Sequence, residues 1–349
     1  MTTPHISVIN PPSAPVDTAI TVLSYNGLEM LQRCLPSTFD QGTVVLVDNG
    51  SADGTVAYVT DAWPHVAIVS IEFNVGLGKA LNIGARAFEA RHIVLMNNDV
   101  IVLPGAIRSL CALLDADPSI GIASPVLLNE DISVQEFGND LHISGVAARR
   151  TRVTQPLLDT FFQSGCVTVV RQDQFLRLGG YGEVFEWYCE DVDLAWRYRN
   201  AGLRVVVAEG AQCIHLQGAT LGRTKVIDRR QIIDERFVAR MYYYNRNFLL
   251  LFARNAPWYQ LVLQFPFILT RQLIEITAAA LTIRDGSLVK AYLRAWRDTL
   301  LRLPLALRNV NASMPTSRRS TFPYVRVYFI QSLHRLRDFL QASRRGDDA

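Results

Sequence analysis

Short apolar runs that end in turn-forming residues recur between residues 19 and 222 of the chain. In one of them, the apolar run Ile93–Met96 gives way to Asn97-Asn98-Asp99, resumes at Val100–Val102 and ends at Pro104-Gly105. Such runs are typical of buried strands. Further runs of this kind predict strands at Ala19–Asn26, Val44–Val47, Val66–Ile71, Ile120–Leu128, Phe161–Arg171 and Leu203–Ala208.

Segments with helical periodicity separate these runs, and they are followed by a helical C-terminal region. Strands that alternate with helices predict an α/β fold, with a Rossmann-like, mostly parallel sheet and helices on both faces. Residues 129–160 have a weaker pattern and predict an irregular, partly β segment. Helices are predicted at Glu29–Leu35, Thr55–Trp63, from about Lys79, at 105–117, at Asp173–Leu178 and at Glu190–Asn200.

The region after Arg223 combines helical periodicity with many arginines. Its most apolar stretch, Ala256–Thr270, contains Gln260, Gln264 and Pro266. It falls short of the roughly 20 uncharged apolar residues that a membrane span needs. We therefore expect an amphipathic basic helix at a membrane surface. The predicted organisation is an N-terminal tail (1–18), an α/β domain (19–222) and a helical basic region (223–349).

Charge and cysteine content narrow the class of protein further. Residues 1–222 carry 13 Lys+Arg and 23 Asp+Glu, whereas residues 223–349 carry 22 and 9, so an acidic body precedes a basic region. A basic region suggests an anionic partner, and interleaved apolar stretches favour a membrane surface over nucleic acid. The five cysteines are odd in number and widely spaced, and residues 1–18 resemble no secretory signal. We therefore expect a reducing, cytoplasmic location.

Polar residues at the carboxyl ends of predicted strands are candidates for ligand binding. Asp48 could accept hydrogen bonds from a base or ribose, although a capping role is the better explanation for it alone. The glycines Gly76 and Gly78 precede a helix near Lys79, where the helix N-terminus favours phosphate, and a plain turn is an equal alternative. The spacing of these glycines fits neither the dinucleotide-binding motif nor the P-loop.

Asp99 and His215 are the candidate metal ligands. A divalent cation often uses one or two protein carboxylates and completes its coordination with substrate phosphates. Asp99 suits that purpose, although Asp also favours turns. His215 follows the last predicted strand and could supply a nitrogen ligand, although a lone histidine is more often a surface or core residue.

Acidic and aromatic residues are clustered before and within one predicted helix. Glu190, Asp191 and Asp193 lie in its first turn, where the helix dipole stabilises each acid by about 0.3–1 kcal/mol. Trp187 and Tyr188 come immediately before them. Aromatic side chains beside acids suit a sugar-binding cleft with a general base, and the helical spacing lets one acid cap while another serves chemistry.

Taken in order, these segments resemble the family 2 inverting glycosyltransferases with the GT-A fold, in the branch labelled rhamnosyltransferase-like. The resemblance covers roughly residues 19–222 and extends to a segment often found after the catalytic domain of this branch. The matching segments are Thr21–Asn26, Val47–Thr55, Asn74–Gly78 with Asn82 and Gly84, Asn97–Asp99, Tyr188–Arg197 with Ala201-Gly202, His215, and Tyr243–Asn247.

The resemblance implies a role for each candidate residue. Asp191 would be the general base, and Asp99 would be the metal-binding acid of the Asp-x-Asp motif, assisted by His215 and holding Mg²⁺ or Mn²⁺. The sequence departs from that motif at its first acid, which is Asn97 here. The donor side would comprise Ser24, Tyr25, Asp48, Asn74, Gly76, Gly78, Lys79, Asn97 and Asn98, and the acceptor side Trp187, Tyr188 and Glu190.

The resulting hypothesis is a metal-dependent, inverting glycosyltransferase of cell-surface glycan synthesis, peripheral to the inner face of the cytoplasmic membrane. It would move a sugar from a nucleotide-diphosphate donor, best dTDP-rhamnose and otherwise a UDP-hexose, to a hydroxyl of a lipid-linked or polysaccharide acceptor. A homo-oligomer is possible. The alternatives are an inert nucleotide-binding subunit of a glycan assembly complex and a nucleotidyltransferase.

Overall fold

The computed structural model describes residues 3–216, 235–283, 285–308, 319 and 322–326. These residues divide into two compact units, one containing 3–139 and 149–216, the other containing 140–148 and the described residues from 235 onward. Every candidate site residue lies in the first unit. The predicted boundary at residues 222 and 223 lies outside the described residues.

The strands and helices follow one another mainly in the alternating order that the sequence predicts. The strands are β1 (Ile6–Ile9), β2 (Val16–Ser24), β3 (Thr43–Asp48), β4 (Ala67–Ile71), β5 (Ala90–Asn97), β6 (Val100–Val102), β7 (Ile120–Leu128), β8 (Val134–Glu136), β9 (Asn139–His142), β10 (Ala147–Arg149), β11 (Leu157–Asp159), β12 (Val167–Arg171), β13 (Arg204–His215) and β14 (Val325–Arg326). The α-helices are α1 (Leu28–Cys34), α2 (Thr55–Ala62), α3 (Leu77–Gly84), α4 (Ala106–Ala116), α5 (Gln172–Arg177), α6 (Glu190–Asn200), α7 (Glu235–Asn255), α8 (Trp258–Ala278) and α9 (Gly286–Arg308).

An 11-stranded sheet forms the centre of the first unit, in the order β1-β4-β3-β2-β5-β12-β7-β13-β11, with β6 and β8 attached to β13 and β7. Strands β2, β3, β4 and β5 are parallel, as are β7 and β13. Strand β12 lies antiparallel between β5 and β7. The fold is therefore the predicted α/β architecture with a mostly parallel central sheet, and antiparallel pairs occur at β12 and toward the edges.

Two strands differ from the prediction at points where the apolar pattern is interrupted. The N-terminal stretch contains β1, which pairs antiparallel with β4 and leaves Ile6 and Val8 exposed, so its pattern is not that of a buried strand. Strand β13 continues past Ala208 to His215, across an irregularity in its pairing between Ala208 and Gln212. This continuation places His215 beside Val100 of β6.

The predicted strand Phe161–Arg171 is shorter in the structure. Strand β12 begins only at Val167, whereas Phe161 and Phe162 are buried side chains outside it. Their apolar character comes from ring packing, since Phe161 contacts Trp196 edge to face with ring centroids 5.2 Å apart. Periodicity alone does not separate such buried loop residues from a strand.

A close approach of α3 to the sheet depends on a glycine. A Cβ at Gly84, the last residue of α3, would lie 2.4 Å from Val47 Cγ2 of β3. Real Cβ contacts are not that short, so only glycine lets α3 pack this closely on the strand. The C-terminal end of α3 is thereby held against Val47, one residue before the end of β3.

The described part of the second unit is mainly helical, as predicted. It contains α7, α8 and α9, and a π-helical segment, Ala279–Ile283, follows α8. In the described residues one helix, Trp258–Leu281, is long and apolar enough to cross a membrane by length and composition, with a mean hydropathy of 1.2. Arg271 and Glu275, which follow the apolar stretch Ala256–Thr270 in the sequence, lie within this helix and pair with each other at 2.7 Å.

Candidate active site

Three strand ends bring polar side chains together at one edge of the sheet. Ser24 of β2 lies opposite Asp48 of β3, and Asn97 of β5 lies opposite Leu23. Asn98 Nδ2 donates a hydrogen bond to Ser24 Oγ at 3.0 Å, which links the ends of β2 and β5. Tyr25 follows Ser24 and is 45% exposed, available to a ligand as a free ring.

Asp48 has one carboxylate oxygen that is not used by the fold. Its Oδ2 accepts a hydrogen bond from the Ser51 backbone N–H at 3.2 Å. Its Oδ1 is buried and has no hydrogen-bond partner in the described part of the chain. Burial raises the pKa of this carboxyl above its ordinary value. A buried acceptor without a partner is costly, which fits an oxygen reserved for a ligand.

The loop before α3 is fixed by a pair of asparagines. Asn49 Nδ2 donates to Asn74 Oδ1 at 3.1 Å, and Asn49 Oδ1 accepts from the Val75 backbone N–H. Gly76 adopts φ +89°, the left-handed region, immediately before the first residue of α3. Lys79 lies half-buried in the first turn. The sequence did not identify Asn49 as a supporting residue.

Helix α3 also approaches the acidic cluster. A Cβ at Gly78 would lie 3.0 Å from Tyr181 Cβ and 3.9 Å from Glu190 Cβ. Asn82, one turn later, donates to the Tyr181 carbonyl and accepts from its backbone N–H at 2.7 Å. The start of α3 at Gly78 and the acid Glu190 are more than 100 residues apart in sequence and are neighbours in space.

Asp99 and His215 form the predicted pair. His215 Nε2 lies 3.4 Å from Asp99 Oδ2, and Asp99 Oδ1 is buried without a hydrogen-bond partner in the described residues. Gln135 Oε1 lies 2.8 Å from His215 Nδ1 and orients the ring. No three acidic, imidazole or thiol side chains in the described part of the chain are arranged to hold a metal ion. Asp99 Oδ1 and the imidazole of His215 offer an oxygen and a nitrogen ligand, and a divalent cation often takes its other ligands from substrate phosphates.

Cys166 is a neighbour of this pair that the sequence did not identify. Its Sγ lies 3.5 Å from His215 Nε2. Burial and the charge of Asp99 raise the pKa of the Cys166 thiol well above its ordinary value. The side chain therefore stays a neutral thiol, which packs against the imidazole without adding charge.

Glu190 and Asp191 lie in the first turn of α6 and point to different neighbours. Asp191 Oδ2 accepts a hydrogen bond from the Gly165 backbone N–H at 3.1 Å, and Oδ1 accepts from the Val192 N–H at 2.8 Å. Glu190 Oε2 is buried without a hydrogen-bond partner in the described chain. Burial raises the pKa of Asp191 to about 6, and burial with repulsion from Asp191 raises the pKa of Glu190 to about 8. Both side chains remain partly accessible.

Asp193, the third acid of the cluster, has a structural role. It is fully buried, and its Oδ2 pairs with Arg197 Nε at 2.8 Å. The guanidinium of Arg197 also donates to the carbonyls of Leu178 and Gly180. This network ties α6 to the turn that precedes it.

The segment before α6 has a strained backbone. Glu186, Tyr188 and Cys189 have φ values of +52°, +66° and +72°, which side-chain-bearing residues rarely adopt. Clusters of such residues are characteristic of functional sites. The strained segment presents Trp187, which is 38% exposed, and its ring lies 5.8 Å from that of Tyr188.

The buried carboxylate of Glu136 bonds to the segment that holds Asp191. Glu136 is 1% exposed and accepts hydrogen bonds from the Ser164 backbone N–H at 2.8 Å and from Ser164 Oγ at 2.6 Å. Arg149 Nε pairs with it at 3.1 Å. Ser164 precedes Gly165, whose N–H holds Asp191. Glu136 lies in the irregular segment 129–160, where no sequence pattern marks it.

These features are an α/β fold with a mostly parallel central sheet, polar and acidic side chains at its strand ends and a second group of acids in the first turn of α6. The sequence profile of Glycosyl transferase family 2 matches residues 19–178. This part of the chain is a family 2 glycosyltransferase domain.

Characterised relatives and solved structures agree with this assignment. The chain is 27% identical over 237 residues to N-acetylglucosaminyl-diphospho-decaprenol L-rhamnosyltransferase of Mycobacterium tuberculosis. The aligned region covers 58% of this chain and 77% of that protein. The chain is also 27% identical over 188 residues to the amylovoran biosynthesis glycosyltransferase AmsE of Erwinia amylovora, covering 50% and 65%.

Among solved structures, GalNAc-T7 with UDP, GalNAc and Mn²⁺ matches with a TM-score of 0.55 and 14% identity, covering 81% of this chain and 54% of that one. Staphylococcus aureus TarS 1–349 in complex with UDP-GlcNAc matches with a TM-score of 0.54 and 14% identity, covering 84% and 83%. At this identity the likeness to the solved structures concerns the fold alone.

Proposed function

We propose that the protein is an inverting glycosyltransferase that moves a sugar from a nucleoside-diphosphate donor to a hydroxyl of its acceptor. The observation that carries the proposal is Asp191, a carboxylate fixed by two backbone N–H groups and with a pKa raised toward neutrality by burial. A general base works best when its pKa lies near the operating pH. Glu190, its neighbour in the first turn of α6, approaches the N-terminal turn of α3, since a Cβ at Gly78 would lie 3.9 Å from Glu190 Cβ. Trp187 precedes this turn of α6 in the chain. These neighbours support a base that lies between the acceptor and the diphosphate.

The proposed reaction is a single displacement at the anomeric carbon. Asp191 removes the proton of the acceptor hydroxyl, whose oxygen forms a bond to the anomeric carbon. The bond from that carbon to the diphosphate oxygen breaks, and its electron pair leaves with the nucleoside diphosphate. Attack from the face opposite the leaving group inverts the configuration, and positioning of both substrates lowers the barrier.

The donor side is assigned to the strand ends and the loop before α3. Ser24, Tyr25 and the free oxygen of Asp48 would contact the nucleobase and ribose, supported by Asn97 and Asn98. Asn74, Gly76, Gly78 and Lys79 would lie at the diphosphate, where the helix N-terminus favours negative charge.

Asp99 and His215 would hold Mg²⁺ or Mn²⁺, and the bound ion would neutralise charge on the departing diphosphate. Asp99 contributes the free Oδ1, and His215 is held in place by Gln135 and by contact with Cys166. Because Asn97 replaces the first acid of the Asp-x-Asp motif, we expect the ion to bind weakly without nucleotide.

The donor and acceptor are proposed from the relatives. The named activity of the Mycobacterium tuberculosis relative favours dTDP-rhamnose as donor and a lipid-linked diphosphate sugar as acceptor, within cell-surface glycan synthesis. A UDP-hexose donor is the next choice. We propose a location on the cytoplasmic face of the membrane, because the basic C-terminal region suits an anionic surface.

The proposal is tested by Asp191→Asn, which removes the base and keeps the shape of the side chain. We expect kcat to fall by about 10²-fold or more, the usual contribution of a general base. Binding of the nucleotide, measured by calorimetry, should not change. Glu190→Gln is the companion variant. If Asp191→Asn retains turnover and Glu190→Gln loses it, the base is Glu190 instead. Pyrophosphate release, or no turnover by the unaltered chain, would support the alternative functions.

A further inference from the structure

In the second unit, helix α8 buries polar side chains and exposes apolar ones. Its buried positions recur at intervals of four residues, at Gln260, Gln264, Ile268 and Gln272. The three glutamines have no exposed surface. A surface helix of a water-soluble domain buries its apolar stripe and exposes its polar one, and α8 does the reverse.

The outward face of α8 is mainly apolar, with Thr270 and Thr277 as its exposed polar residues. The structure describes every residue of this helix, and none of its exposed positions carries a charged side chain. Contiguous apolar surface of this kind marks an interaction site. The exposed large apolar residues of α8 are Trp258, Tyr259, Val262, Leu263, Phe265, Phe267, Leu273 and Ile274.

The inward face belongs to a hydrogen-bonded network among α7, α8 and α9. Gln272 Nε2 donates to Asn245 Oδ1 of α7 at 3.1 Å, and Gln272 Oε1 accepts from Trp296 Nε1 of α9 at 2.7 Å. Gln260 Nε2 donates to Gln264 Oε1 at 2.7 Å. Helices that pack within lipid are held together in this way, by polar contacts inside and apolar side chains outside.

We propose that the apolar face of α8 is immersed in the acyl layer of an anionic lipid bilayer, with the helix lying along the membrane plane. The inference rests on the membrane-surface location proposed above and deepens it from surface attraction to insertion. Because Gln272 on the inward face bonds to α7 and α9, α8 presents only its other face to lipid and inserts by that face rather than spanning.

The charge of the neighbouring helix identifies the occupant as lipid. Exposed leucines of α9, among them Leu293, Leu300 and Leu301, share its surface with the exposed basic residues Lys290 and Arg297. Residues 235–308 contain 11 Lys+Arg and 4 Asp+Glu. Leucines beside long basic side chains suit the acyl–headgroup boundary of an anionic membrane, where the amines reach the phosphates.

The test uses the full-length chain with vesicles of phosphatidylcholine alone and of phosphatidylcholine with phosphatidylglycerol. Insertion predicts that vesicles with bromine on the acyl chains quench the fluorescence of Trp258, seen as the difference between the unaltered chain and Trp258→Phe. It also predicts that binding survives about 1 M salt, where the Debye length is only about 3 Å.

The decisive variant is the pair Val262→Gln with Leu273→Gln, both at exposed positions. Since each glutamine removes an apolar side chain from the acyl layer, we expect vesicle partitioning to fall at least about tenfold. The matched control is Ile6→Gln with Val8→Gln, which alters two exposed apolar residues of β1 and should not change partitioning.

Three results would overturn the inference. Binding that is abolished by salt and unaffected by the glutamine pair would mean surface attraction only. Self-association without vesicle binding, lost in the glutamine pair, would mean that a second copy covers the face. Quenching that is the same in Trp258→Phe would mean that α8 is not in the acyl layer. None of these measurements requires turnover, so they stand apart from the proposed reaction.

Discussion

Asp191 and Glu190 show how one helix turn can create two different carboxyl groups. Asp191 is oriented by Gly165 and Val192, while Glu190 keeps an oxygen without a hydrogen-bond partner in the described residues. Burial raises the pKa of each, and the pair titrates as a coupled unit. The better-oriented carboxylate with the lower pKa is the one that is ionised first and can accept a proton.

The pH dependence of transfer follows from this assignment. Asp191 acts as a base only when ionised, so kcat/KM should rise with pH through its raised pKa of about 6 and level off above it. Steady-state rates at constant ionic strength measure the acidic limb. A rate that stays constant down to about pH 4, the ordinary range of an aspartate, would contradict the assignment.

The charge of Glu136 contributes to the raised pKa of Asp191. Glu136→Gln removes that charge and keeps an oxygen that can accept from Ser164. We expect the acidic limb of the rate profile to move down by a few tenths to about one pH unit. Glu89→Gln, at an exposed position, is the control and should leave the profile in place. An unmoved limb in the Glu136 variant would mean that Glu136 only supports the loop.

At the scale of elements, Gly84 decides how closely α3 packs on β3. Gly84→Ala places a Cβ 2.4 Å from Val47 Cγ2, and overpacking of this kind costs about 1–3 kcal/mol. Urea unfolding should therefore show a lower midpoint. Gly210→Ala is the control, because a Cβ there meets nothing within 4 Å. Equal stability of the two variants would mean that α3 shifts freely.

The elements that the sequence predicts well are those in which burial and period agree. Strands β3 and β7 are mainly apolar and almost completely buried, and they lie close to their predicted bounds. Strand β1 was not predicted because it is exposed at an edge. The first half of β13 was predicted, and its continuation past Ala208 was missed because an irregularity interrupts its pattern. The acids and the histidine of the candidate site were predicted from the sequence. Glu136 and Cys166 could not be predicted, because their contacts are with residues distant in the chain.

At the scale of the whole molecule, the acidic and the basic parts of the chain suit different kinds of binding partner. The acidic N-terminal body would attract a divalent cation to a site that also binds an anionic diphosphate, so ion and nucleotide need each other. The basic C-terminal part has an excess of Lys and Arg over Asp and Glu, which suits an anionic surface. Because the negative and positive charges lie in different parts of the chain, the net charge of +3 does not indicate which partners either part binds.

Mutual dependence of ion and nucleotide gives the last prediction. A ligand at a hundred times its Kd stabilises the folded chain by about 2.7 kcal/mol. We expect dTDP or UDP with Mn²⁺ to raise the melting temperature more than the nucleotide and the ion do separately. Asp99→Asn and His215→Ala should remove this additional increase. They should leave the smaller effect of nucleotide alone, for which we propose Asp48 and the loop before α3. The exposed positions Asp61→Asn and His5→Ala serve as controls and should retain the full increase. An increase that survives in both site variants would place the ion elsewhere, and a preference between the two nucleotides would identify the donor class.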